Sequence, residues 1–140
     1  MNMRNLKIAG MAALGLALAL AIGWLWGAAG RWPAERRLAE TALRLRLTDA
    51  RSRVLGGRVD LYSLNFGAAS QNFEAARQIV TSTSEILAGA DAKDPRLDAL
   101  RSALDDLAAS QRFAAQMRQD AHTPADRAAR AISAAAHAQP

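Results

Sequence analysis

The chain has 140 residues, 51% of them hydrophobic and 22% charged, and carries 18 Lys and Arg against 13 Asp and Glu for a formal net charge of +5. Once a membrane segment is set aside, residues 31–140 remain, enough for one small domain and too few for two. The positive balance raises nucleic-acid binding, but phosphate recognition needs clustered bases and single-strand binding adds exposed aromatics; here the aromatics fall at a membrane boundary or on a helical seam, so no nucleic acid is expected. The absence of cysteine fits either redox compartment.

A short basic tail, residues 1–7 with Arg4 and Lys7, precedes an uncharged stretch from Ile8 to Gly30. At 1.5 Å of rise per residue a helix of that length spans about 35 Å, enough to cross a hydrocarbon core of about 30 Å. The expectation is one transmembrane helix over 8–30. Trp24, Trp26 and Trp32 cluster where its far end would meet the headgroups, as in an aromatic belt. A cleaved signal peptide is the rival reading, because small residues follow the apolar run, but the run exceeds the usual apolar region of about 7 to 15 residues. Within it Gly15, Ala19, Gly23 and Gly27 recur every four residues and so share one helical face, which predicts close packing on another transmembrane helix. No Asp, Glu, His or Arg interrupts the span, which leaves it without a haem ligand or proton relay. A bare Lys/Arg count would put the C-terminal side inside. Long domains translocate largely regardless of charge, however, so the N-terminus is expected in the cytoplasm and residues 31–140 in the periplasm of a bacterial inner membrane.

The apolar spacing of residues 31–140 is helical almost throughout, so the fold class is all-α. Pro33 suits a first helical turn, and apolar or small residues recur by threes and fours at Leu38, Ala42, Leu45, Thr48, Ser52, Leu55, Val59, Tyr62, Phe66, Ala69, Phe73, Ala76, Val80, Thr83 and Leu87. This reads as one coiled-coil-like seam. An interior glycine costs about 1 kcal/mol relative to alanine in a helix, so a break is expected at Gly56-Gly57 or at Asn65-Phe66-Gly67. Asp94-Pro95 reads as a cap followed by Pro at the first helical position, and Thr123-Pro124, with Asp126 following, repeats the device. The expected helices are 33–55, 58–90, 95–120 and 124–137, arranged as a hairpin or small bundle.

The run from Asn65 to Ala76 resembles the second helix of a tetratricopeptide repeat, with Phe66, Ala69, Phe73 and Ala76 at the aromatic, small, aromatic and small places and Gly57 near the glycine of the first helix. The resemblance covers residues 57–90. One period of 34 later only Leu100, Ala103, Leu107 and Ser110 echo it, while the Trp-Leu-Gly start and the prolines are missing. It implies a packed helical hairpin, with Phe66, Ala69, Phe73 and Ala76 as core, and a partner-binding surface.

Charge is uneven. Arg31 to Arg58 holds eight arginines against Glu35, Glu40 and Asp49, whereas Val59 to Pro140 holds eight bases against ten acids. Arg37, Arg44, Arg51 and Arg58 are spaced by seven and would form a basic stripe for anionic headgroups or an acidic partner, or a solvated face. Catalytic signals are missing: His122 and His137 have no carboxylate at metal-ligand spacing, adjacent Asp105 and Asp106 diverge on a helix, and no phosphate loop or nucleophile elbow occurs. The chain reads as a non-enzymatic accessory subunit of a larger inner-membrane assembly, without cofactor, metal or small-molecule substrate, partnered by other subunits and the bilayer. A membrane-tethered peptide-binding module and a signal-cleaved periplasmic helical protein are the alternatives.

Overall fold

The computed structural model describes the backbone of residues 3–138 and the side chains of residues 15–23 and 34–138. The described residues contain no strand, in keeping with the all-α reading. Helix α1 runs Met3–Tyr62, α2 Phe66–Ala90, α3 Arg96–Ala115 and α4 His122–His137, with a 3-10 turn Gln119–Ala121 leading into α4. The chain divides into two compact units, Met1–Glu40 and Thr41–Pro140.

In the first unit residues 15–23 are exposed on every side, among them Leu16, Leu18, Leu20 and Ile22. A Cβ added at Gly15 or Gly23 would meet nothing within 4 Å. Among the described residues no helix is long and apolar enough to cross a membrane. The span expected over 8–30 falls partly outside the described side chains, as do Gly27, Trp24, Trp26 and Trp32.

The second unit is a four-helix bundle built on a heptad rhythm. α1 buries Leu47, Ala50, Val54, Gly57 and Leu61; α2 buries Ala69, Phe73, Ala76, Val80, Thr83 and Leu87; α3 buries Leu100, Ala103, Leu107, Ser110 and Ala114. Alternating steps of three and four keep each row on one face of its helix, so each faces a common axis. α4 completes the core with Ala125, Ala128, Ala129, Ile132, Ala135 and Ala136, an alanine surface that lets neighbouring backbones approach closely. α3 packs on α2 and α4. α1 meets α2 where Gly57 lies against the Phe73 ring and Asn72 Nδ2 donates to Asp60 Oδ2 at 2.7 Å, and it meets α4 where Arg58 pairs with Asp126.

Some helix ends depart from expectation. Of the two expected break points, Gly56-Gly57 is passed, because helix is continuous through both to Tyr62, and the break falls at the other, where Asn65 caps an α2 that begins at Phe66. Leu64, between the two helices, has a φ of 58°, in the left-handed region. The Asn65 N–H donates to Asp60 O and the Leu64 N–H to Leu61 O, the paired bonds of a Schellman motif. Asn65 then caps α2, its Oδ1 accepting from the Ala68 N–H at 3.2 Å. α3 closes the same way at Met117, φ 56°, with Arg118 N–H to Phe113 O and Met117 N–H to Ala114 O, so it stops at Ala115 rather than 120. α4 starts at His122 with no side-chain cap, so Thr123 lies inside its first turn instead of capping it. Asp94 does serve α3: its Oδ1 accepts the Arg96 N–H at 2.9 Å, with Pro95 between them.

The single seam expected to run from Leu38 to Leu87 is also corrected. Its α2 portion, from Ala69 to Leu87, is core, but its α1 portion faces out: Leu38 and Leu45 are each 70% exposed, Val59 63% and Tyr62 71%. The left-handed residue at Leu64 reorients the chain, so the phase of α2 does not carry back into α1.

Candidate interaction surface

α1 in the second unit carries two apolar rows. One is the core row from Leu47 to Leu61. The other, Leu45, Leu55, Val59 and Tyr62 with Thr48 and Ser52, lies across the helix from it, since residues two apart in a helix sit about 200° apart. The Thr48 hydroxyl donates to Arg44 O at 2.9 Å and is already satisfied.

The expected arginine stripe is not four equivalent charges. Arg37 lies in the first unit and Arg44, Arg51 and Arg58 in the second. Arg37 and Arg44 each have an interaction partner, and Arg58 is half-buried between helices with its Nη1 donating to Asp126 Oδ1 at 3.0 Å. Arg51 is exposed. Of the expected small-residue face, Gly15, Ala19 and Gly23 are exposed on α1. Ala69, Phe73 and Ala76 sit in the core, and Phe66 packs against it partly buried.

Three polar features were not read from the sequence. Asp94 and Arg96 form a buried ion pair, 7% and 5% exposed, joined by Arg96 Nη2 to Asp94 Oδ2 at 2.7 Å. The Arg96 guanidinium holds the Asp94 carboxyl below its ordinary range. At the α1/α4 junction the Tyr62 and His122 rings lie 4.2 Å apart beside Arg58. Burial, and then the Arg58 charge, push the His122 pKa down from 6.5, so a neutral imidazole is favoured there. On α2 the Arg77 guanidinium, then the Gln78 amide, hold Glu74 at about 2, beside a shallow groove shared with Ser70, Gln71, Ala75 and Gln111. Sequence spacing hints only at the short-range pairs, Asp94/Arg96 and Glu74/Arg77; contacts between distant helices leave no such local signal.

Chemically these groups are engaged with one another. Glu74 is taken by Arg77, Asp94 by Arg96, and Asp126 by Arg58 and Arg130. Among the described residues no group of three His, Asp or Glu could hold a metal ion. His122 and His137 stand at opposite ends of α4, and the His137 Nδ1 lies 2.7 Å from the Ser133 carbonyl oxygen. What the surface offers is the outward row of α1, apolar at Leu45, Leu55, Val59 and Tyr62 with Thr48 and Ser52 between them. No known protein family, curated protein or solved structure matches the chain.

Proposed function

We propose that the protein is a non-catalytic accessory subunit of a bacterial inner-membrane assembly, tethered by the apolar segment 8–30 with its helical bundle on the periplasmic side. The observation that carries this reading is in the first unit. Residues 15–23 are uncharged and all exposed, with Leu16 and Leu20 on one side of the helix and Leu18 and Ile22 on the opposite side. A helix apolar on all sides needs an apolar surrounding, and lipid with neighbouring helices would supply it. Open space at Gly15 and Gly23 suits close approach by a foreign helix.

Membrane fractionation and native purification test this. The chain is expected to resist alkaline carbonate extraction, to keep Met1 to Gly30 in its intact mass, and to co-purify in stoichiometric amount with other membrane subunits in mild detergent. Recovery as a soluble chain lacking the apolar segment would overturn the anchor, and membrane insertion without any co-purifying subunit would overturn the accessory role.

A further inference from the structure

The α1 row Leu45, Thr48, Ser52, Leu55, Val59 and Tyr62 steps by three, four, three, four and three, the 3.5-residue repeat of a coiled-coil seam. It is a second seam on a helix whose first seam is already used in the bundle core. Leu45, Val59 and Tyr62 keep 63–71% of their surface, and Leu55 36%. Scattered exposed apolar residues need no partner, but these lie in register over about 27 Å of helix.

The edges of the seam differ. Arg44, Arg51 and Arg58 line one edge, immediately before Leu45, Ser52 and Val59. Asp49, Gly56 and Ser63 line the other. In a parallel pair of helices each residue of the first edge faces the residue five positions further on in the other chain. Arg44 would then meet the partner's Asp49, twice by symmetry, beside the Arg53 that lies 3.6 Å from Asp49 within its own chain, while Arg51 would meet glycine and Arg58, already paired with Asp126, would meet serine. No like charges oppose each other. In an antiparallel pair the arginine edges would face one another. An unrelated acidic helix would suit the arginines but would place its own acids against Asp49.

We propose that this face of α1 binds a second copy of the same chain, forming a parallel, two-fold homodimer along Leu45, Leu55, Val59 and Tyr62. Thr48 and Ser52 within the seam lower its affinity and fix its register, as polar seam positions do in other coiled coils. The Thr48 hydroxyl proton is already bonded to Arg44 O, so burying it leaves no unmet donor. The proposal rests on the second unit alone and does not depend on the membrane anchor.

The absence of cysteine from the chain makes disulfide trapping free of background. Full-length Leu45→Cys and Val59→Cys, each alone in detergent solution, are expected to cross-link to themselves on mild oxidation, whereas Arg46→Cys, off the seam, is not. The native chain should sediment as a dimer at micromolar concentration, and Leu45→Glu with Val59→Glu as a monomer of unchanged helicity. Arg44→Asp should weaken dimerisation about tenfold, and adding Asp49→Arg should restore it. Cross-linking only when the Leu45→Cys and Val59→Cys chains are mixed would show an antiparallel pair and overturn the proposal. A monomeric native chain would overturn it too, as would a dimer indifferent to the seam substitutions.

Discussion

Gly57 on α1 leaves the Phe73 ring of α2 the space that a methyl group would otherwise occupy: a Cβ at Gly57 would stand 2.7 Å from Phe73 Cε1 and 3.0 Å from Cδ1. Phe73 is fully buried. Gly56, one residue earlier, differs, since its Cβ would meet Asn72 Nδ2 at an ordinary 3.6 Å. The adjacent glycines should therefore respond with opposite sign. Gly57→Ala should destabilise by about 1 to 3 kcal/mol through overpacking, whereas Gly56→Ala should stabilise by up to about 1 kcal/mol from helix propensity. Thermal melts of the two variants decide it. In the Gly57→Ala background, Phe73→Leu should cost less than it does alone, a coupling that a double-mutant cycle measures.

Leu64 and Met117 hold left-handed backbone at the ends of α1 and α3, where glycine is the usual occupant. Their side chains are 60% and 76% exposed and give little packing in return. Left-handed backbone costs a branched or long residue about 1 to 2 kcal/mol, partly offset by the greater freedom glycine has when unfolded. Leu64→Gly and Met117→Gly should each raise stability by roughly 0.5 to 1 kcal/mol in denaturant titration. No change, or a loss, would mean that these side chains contribute contacts beyond what their exposure implies.

Thr83 occupies a core position of α2, fully buried, with its hydroxyl oxygen unpartnered. Thr83→Val keeps the shape and removes the orphaned polar group. It should stabilise by about 1 to 2 kcal/mol, seen as a higher denaturation midpoint at unchanged slope.

The Asp94–Arg96 pair both neutralises a buried guanidinium and caps α3. Asp94→Ala removes both roles and should cost about 3 to 5 kcal/mol. Replacing the pair together, Asp94→Leu with Arg96→Met, should recover most of that loss, but not the roughly 1 kcal/mol due to the cap. Equal losses in the single and double variants would show that the cap dominates.

Stability should fall in two separate steps on acidification. His122 has its pKa depressed below 6.5 in the fold, so near neutrality the unfolded chain binds more protons and stability rises with pH. That contribution is present above 6.5 and is lost as pH falls through the lower folded value. Glu74 behaves alike in a lower window, its contribution present above 4.5 and lost as pH drops toward about 2, with Asp94 adding to the loss below 3.8. His122→Gln should flatten the upper step and leave the lower one. A melting temperature independent of pH between 7 and 5 in the native chain would refute the assignment to His122.

The sequence by itself determined the class of fold and the chemistry of its rows. Spacing of three and four, and an apolar uncharged stretch before Gly30, leave little but helices to build from. The α2 row Ala69, Phe73, Ala76 and Val80 was legible because only one face of α2 is apolar. On α1 two faces carry apolar residues at the same spacing, and nothing local ranks Leu45 and Val59 against Leu47 and Val54. Packing chose the second set, because Gly57 falls in that row and admits the Phe73 ring. Some helix ends were hidden for a related reason. Gly57, in the glycine pair that looks like a break, sits where close approach requires a small residue. The α2 start was legible at Asn65-Phe66-Gly67, but the left-handed residues that close α1 and α3, Leu64 and Met117, show no glycine. Local propensity favours the reverse arrangement, and it yields because the bundle core contributes more than one left-handed leucine costs.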